Sequence, residues 1–200
     1  MKNILVLNSS VMADDSVSKV LVEEAVAELL EKNPGAQVVR HDLGEQPIPH
    51  LDSATVAGVR GVPQSAAETA ARTLSDKLIA ELRAADALVV GAPMYNFSIP
   101  TGLRSWFDYV LRAGETFQYT ESGPKGLLEN KQVILIESRG GLYSEGPAQS
   151  MDFQEPYLRT LFGFMGLNDV VFIHAEKIGF GPEAREAAMA GAKEEIAQLS

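Results

Sequence analysis

The chain has 200 residues, a length that suits one domain, residues 1–200, with a substantial core. Its net charge of -10 sets it against nucleic acid and anionic membranes, both of which select basic surfaces. It has no cysteine, which excludes disulfides, thiolate nucleophiles, iron–sulfur clusters and most structural zinc sites.

The chain begins with an apolar run, Ile4-Leu5-Val6-Leu7, that reads as a buried strand. It is too short for a signal peptide or a membrane span, so a soluble, cytoplasmic protein is expected. A hydroxyl-rich loop follows, with Ser10, Asp14, Asp15, Ser16, Val17 and Ser18. A helix with a broad apolar face then runs to about residue 31 and stops at Asn33-Pro34-Gly35. Residues 37–40 form a second strand. Residues 41–64, with three prolines, read as a long loop of the kind that is functional or mobile. Ser65 and Glu68 have the spacing of a capping box and open a helix to about residue 84.

Residues 87–92 begin as an apolar run too unbroken to be half solvated, the pattern of a strand covered on both faces in the middle of a parallel sheet. Pro93 ends it, because proline has no N–H for the ladder. Met94, Tyr95, Asn96 and Phe97 follow, placing two aromatics and an amide past the carboxyl end of a central strand, where open α/β sheets bind ligands. A helix extends from Pro100-Thr101 to about residue 111. Residues 113–131 are a second long connection, with Phe117 and Tyr119 alternating. Residues 133–136 form a fourth strand that runs into Ser138-Arg139-Gly140-Gly141. A helix from Asp152 and Glu155 stops at Gly166, a fifth strand covers 170–173, and Gly181-Pro182 opens the last helix.

Five repeats of strand then helix predict an α/β, doubly wound, five-stranded parallel sheet in the flavodoxin-like order 2-1-3-4-5, with helices on both faces. In that order strands one, three and four are neighbours. Three post-strand segments then converge: Ser10 with Ser16-Val17-Ser18, Met94 to Phe97, and Ser138 to Gly141. Hydroxyls and free amides at a helix start suit a phosphate. Flat rings suit an aromatic ligand, and two glycines let backbone N–H groups approach ring carbonyls. Taken singly, each is also an ordinary cap, core or turn. Together they describe FMN, the kind of cofactor that a redox role would require. The dinucleotide and P-loop glycine fingerprints and the G-x-S-x-G elbow are absent. The three histidines, His41, His50 and His174, read as structural or solvated rather than catalytic, and no metal site is expected.

Four stretches carry a resemblance: Ala92-Pro93-Met94-Tyr95-Asn96-Phe97, Ala113-Gly114-Glu115-Thr116-Phe117-Gln118-Tyr119, Gly123-Pro124-Lys125-Gly126-Leu127 and Ser138-Arg139-Gly140-Gly141. With them the chain resembles the FMN-dependent NADH-azoreductase family, within the flavodoxin-like quinone reductases, nearly end to end. The resemblance implies tightly bound, non-covalent FMN. Ser10, Ser16, Val17 and Ser18 would hold its phosphate, Met94, Tyr95, Asn96 and Phe97 would flank its ring, and Ser138, Arg139, Gly140 and Gly141 would meet its pyrimidine edge. It also implies a homodimer in which Arg60, Phe117, Tyr119, Tyr143 and Phe162 shape the substrate pocket. Relatives often carry histidine where this chain has Leu142 and Tyr143. The implied activity is ping-pong, two-electron reduction of quinones and azo compounds by NADH or NADPH, with no obligatory side-chain acid or base. A flavodoxin-type electron carrier without its own substrate remains the alternative.

Overall fold

The computed structural model describes residues 1–13 and 15–199, so the sequence reading of Asp14 lies outside the described residues. Among the described residues, seven strands and six α-helices follow one another. They are β1 (Asn3–Asn8), α1 (Val17–Lys32), β2 (Gln37–Asp42), α2 (Val56–Arg60), α3 (Ala66–Ala84), β3 (Ala87–Gly91), α4 (Thr101–Val110), β4 (Phe117–Thr120), β5 (Gly123–Gly126), β6 (Gln132–Ser138), α5 (Glu155–Met165), β7 (Val170–Ala175) and α6 (Pro182–Ile196). A 3-10 turn at Gln149–Met151 precedes α5.

The main sheet is parallel, in the order β2-β1-β3-β6-β7, which is the expected 2-1-3-4-5 with the hairpin strands left out of the count. β3 lies at its centre and every residue of it is buried, as its unbroken apolar run requires. Alternate residues of the strands feed two separate cores. Ile4, Val6, Val89, Ile134 and Ile136 pack beneath α1 and α6. Leu5, Leu7, Leu88, Val90, Val133 and Leu135 pack beneath α3, α4 and α5. The period-2 alternation of a strand thus becomes a sheet covered on both faces.

Local chemistry sets the element ends. Ser65 accepts the Glu68 N–H at 3.2 Å, and Glu68 accepts the Ser65 N–H at 2.9 Å, completing the capping box that opens α3. Asp152 accepts the N–H groups of Gln154 and Glu155 at 2.9 and 3.1 Å and opens α5, which Gly166 ends in the left-handed conformation.

Both long connections hold more structure than their composition indicates. Residues 41–64 contain α2. Residues 113–131 contain the antiparallel hairpin β4–β5, whose Phe117 packs edge-on to Phe164 of α5 at 4.6 Å.

One expected pocket residue belongs to the core. Phe162 on α5 has 0% exposure and meets Phe107 of α4 edge-on at 5.2 Å, so it supports the α4–α5 contact and lines no surface. Phe162→Ala is expected to cost about 3–5 kcal/mol, read as a lower urea midpoint. A pocket-wall residue would instead leave stability nearly unchanged and shift KM.

Candidate functional site

The carboxyl ends of β1, β3 and β6 are adjacent, because their pairings place Asn8 beside Gly91 and Gly91 beside Ile136. The chain leaves each strand there, and hydrogen bonds stitch the three exits together. The Val11 N–H donates to the Tyr95 hydroxyl oxygen at 3.2 Å, and that hydroxyl lies 3.3 Å from Ser10 Oγ. The Met94 N–H donates to the Ser138 carbonyl at 2.9 Å. Gln154 Nε2 donates to the Ala92 carbonyl at 2.7 Å, and the Phe153 N–H donates to the Phe97 carbonyl at 3.1 Å. Between them lies a cleft of about 180 Å³, bordered by Ser10, Ser16, Val17, Met94, Tyr95, Ser138, Gly140 and Arg185.

At one end of this cleft stands the start of α1. Ser16 is its N-cap and accepts the Lys19 N–H at 3.3 Å, with Ser18 Oγ 3.3 Å away. The Val17 and Ser18 amides belong to the first turn, where no helical carbonyl precedes them, and among the described residues neither has an acceptor, which suits an anion. Gly44 helps to seat this end. A Cβ there would stand 2.0 Å from the Ser10 carbonyl oxygen, so only glycine permits the approach.

The middle is a tight turn. Tyr95 and Ser98 exchange backbone hydrogen bonds at 2.9 and 3.2 Å, and the residues between them, Asn96 and Phe97, have φ of 48° and 72°. This is a turn with both central residues left-handed, which glycine or asparagine occupies easily and phenylalanine does not. Strain of this kind gathers at binding sites, where the surroundings hold it in place. The turn presents Phe97 at 39% exposure, edge-on to Tyr143 at 6.1 Å.

At the far end the glycine turn follows β6. Among the described residues, neither the Gly140 nor the Gly141 N–H has an acceptor, and a Cβ on Gly140 would meet open space. The two amides are therefore available to acceptor atoms on a ligand.

Arg139 lies between Ser138 and Gly140 but faces away from the cleft, correcting its expected place as a ligand contact. Its side chain has 0% exposure. Nη2 lies 2.5 Å from Glu137 and 3.0 Å from Asp152, Nη1 lies 3.1 Å from Glu176, and Nε donates to Gln154 at 3.1 Å. Its N–H and carbonyl are taken by Ala175 and Ile178. Glu176 in turn accepts the N–H groups of Tyr143 and Ser144 at 2.8 and 3.0 Å, tying the loop that carries Tyr143 to the same centre.

The other expected pocket residues are spread out. Tyr143 stands on the aromatic rim. Arg60 caps α4, donating to the Leu111 carbonyl at 2.6 Å, which occupies its guanidinium away from the cleft. Phe117 is buried under the hairpin, while Tyr119 on the same hairpin is 74% exposed. Arg185, which borders the cleft, has no counterpart in the sequence reading, because it comes from the last helix.

Each histidine is held by a neighbouring side chain. His41 pairs with Glu81 at 2.7 Å and His50 with Ser105 at 3.0 Å. His174 Nε2 lies 2.9 Å from Glu155 and 3.2 Å from Glu137. A larger hollow of about 680 Å³, lined by Met1, Asp86, Lys131 and Asp169, lies at the amino ends of the strands. Ligands of such sheets bind at the carboxyl ends, so the smaller cleft is the candidate site.

The architecture and the post-strand cleft are those of a doubly wound, flavodoxin-like nucleotide-binding protein. A family profile described as "Flavodoxin-like fold" matches residues 2–199, and the chain belongs to that family. It is 64% identical over 200 residues to an "FMN-dependent NADH:quinone oxidoreductase" of Hyphomonas neptunium, covering 100% of this chain and 96% of that one. It is 49% identical to a protein of the same name from Ralstonia nicotianae, over 94% of this chain and 92% of that one. The crystal structure of an azoreductase from Bacillus anthracis superimposes with a TM-score of 0.90 at 31% identity, covering 99% of this chain and 98% of that one.

The buried charge cluster has a pH signature. Burial opposes protonation of His174, but hydrogen bonds and attraction from Glu137 and Glu155 outweigh it and hold its pKa above the ordinary value. A folded-state pKa above the unfolded one stabilises fully below the unfolded value of about 6.5, and the contribution is lost as pH rises through the folded pKa. The gap in urea midpoint between the wild-type chain and His174→Gln is therefore expected to be widest below about pH 6.5 and to narrow above it. A gap independent of pH would contradict the assignment.

Proposed function

We propose that this chain is an FMN-dependent NAD(P)H oxidoreductase that reduces quinones and azo compounds. The observation that carries the reading is the order of chemistry along one cleft. Amides and hydroxyls at the start of α1 lead to a strained aromatic turn, and then to glycine amides that have no acceptor among the described residues. That order fits a ligand with an anion at one end and an acceptor-edged flat ring at the other. Ser10, Ser16, Ser18 and the Val17 amide hold the phosphate. Met94, Tyr95, Asn96 and Phe97 flank the ring, and Ser138 with the Gly140 and Gly141 amides meets its polar edge. When bound, FMN supplies the hydride chemistry that no side chain here offers. The residues contribute position, a partly dry surface and donors beside the developing charge. No side chain in the cleft is required as acid or base.

NADH is the proposed donor, used in turn with the acceptor at one place, which gives ping-pong kinetics. A homodimer is part of the proposal. A cleft of about 180 Å³ is smaller than the roughly 300 Å³ or more typical of a complete small-molecule site, so a second copy would finish the enclosure. The exposed Tyr119 on its anchored hairpin suits that role. Among the described residues no helix is long and apolar enough to cross a membrane. A cytoplasmic location is proposed with the activity, since NADH is made and used there.

The test is an absorbance spectrum of the purified protein before and after anaerobic addition of NADH. The expected result is an oxidised-flavin spectrum that bleaches in one two-electron step and recovers when a quinone is added, with parallel double-reciprocal plots. Bound flavin that NADH does not reduce would overturn the enzyme reading in favour of an electron carrier.

A further inference from the structure

Arg185 reaches the cleft from the far end of the chain. It lies in the first turn of α6, which packs beside α1 beneath the sheet. Its Nη2 donates to both the carbonyl and a carboxylate oxygen of Asp15 at 2.9 Å. Asp15 immediately precedes Ser16, the N-cap of α1, so the guanidinium stands at the same helix start as the Val17 and Ser18 amides. Arg185 borders the cleft together with Ser10, Ser16 and Val17, and among the described residues it is the one cationic residue that lines it. The nearest basic residue along α1, Lys19, is held by Asp42 at 2.8 Å and Glu45 at 3.6 Å.

Four physical facts bear on this arrangement. A phosphate monoester carries close to two negative charges at neutral pH, and it would enter a chain of net charge -10. A helix start supplies only a partial positive charge. Asp15 is 82% exposed at its side chain, so its pair with Arg185 is weakly held. A guanidinium bonds phosphate oxygens through paired N–H groups at least as well as it bonds a carboxylate.

We propose that Arg185 is the counter-cation of the cofactor phosphate, and that Asp15 holds it at the helix start until the phosphate replaces the Asp15 carboxylate. The assignment rests on the FMN reading above. It adds to the cradle a residue that lies 170 positions from Asp15 in the chain.

The test compares FMN with riboflavin, which lacks the phosphate, by quenching of flavin fluorescence on the cofactor-free protein. Wild type, Arg185→Gln and Asp15→Asn are measured at low and high salt. Arg185→Gln is expected to weaken FMN roughly 10- to 100-fold, the loss of a charge-assisted hydrogen bond, while riboflavin changes by less than about twofold. Asp15→Asn is expected to tighten FMN by a few-fold, because the competing carboxylate is gone. High salt is expected to narrow the gap between wild type and Arg185→Gln. Unchanged FMN affinity in Arg185→Gln would overturn the assignment. So would equal loss of FMN and riboflavin, which marks a purely structural role, or weaker FMN binding in Asp15→Asn. Wild type that binds neither flavin would instead overturn the FMN reading beneath it.

Discussion

A guanidinium without solvent exposure sits behind the glycine turn, and the shape of the cleft depends on it. Arg139 is surrounded by the carboxylates of Glu137, Asp152 and Glu176 and by the Gln154 amide. A charge in that position is tolerable only because each of its groups is paired, and removing one partner of a buried pair typically costs about 3–5 kcal/mol. The partners come from separate places. Glu137 lies on β6, Asp152 and Gln154 at the start of α5, and Glu176 just after β7. One side chain therefore fixes the exit from β6, the entry to α5 and the loop between them. Gln154 extends the hold to β3 through the Ala92 carbonyl, and Glu176 extends it to Tyr143.

The electrostatics of this centre are internally consistent. Three carboxylates around one guanidinium leave an excess of negative charge, and His174 lies against Glu137 with its pKa raised. Burial pushes the Glu137 carboxyl above its ordinary pKa, although Arg139 and His174 pull the other way, and one of its oxygens has no partner among the described residues. The cluster also contains two carboxylates and a histidine close enough to suggest a metal site. The Glu137 oxygen facing that histidine is already 2.5 Å from the Arg139 guanidinium, so the centre works as an ion-pair hub.

Much of this was legible in the residues because the relevant signals are local. The apolar run at 87–92, the Ser65–Glu68 spacing and Gly166 each act within a few positions, and the structure places them as expected. The convergence of Ser16, Tyr95 and Gly140 followed from strand order alone. What escaped was side-chain direction. Arg139 stands in the middle of a ligand-like motif, yet its partners, Asp152 and Glu176, lie 13 and 37 residues further on, and nothing in the motif says which way it points. The inward packing of Phe162 and the contact of Arg60 with the end of α4 were hidden for the same reason, since an aromatic on a helix or a lone arginine in a loop carries no mark of which neighbour it meets. Arg185 was invisible because α6 returns to α1 only in three dimensions. The β4–β5 hairpin was hidden because its Gly-Pro strand has little β character and is held by docking on α5.

The central claim is that three segments far apart in sequence grip one ligand. Amide hydrogen exchange of the protein with and without FMN tests it most directly. The account predicts that FMN slows exchange together at residues 15–18, 94–97 and 140–141, at the same FMN concentration. Binding that protects only one of these segments, or that protects the hollow around Asp86 and Asp169 instead, would contradict it.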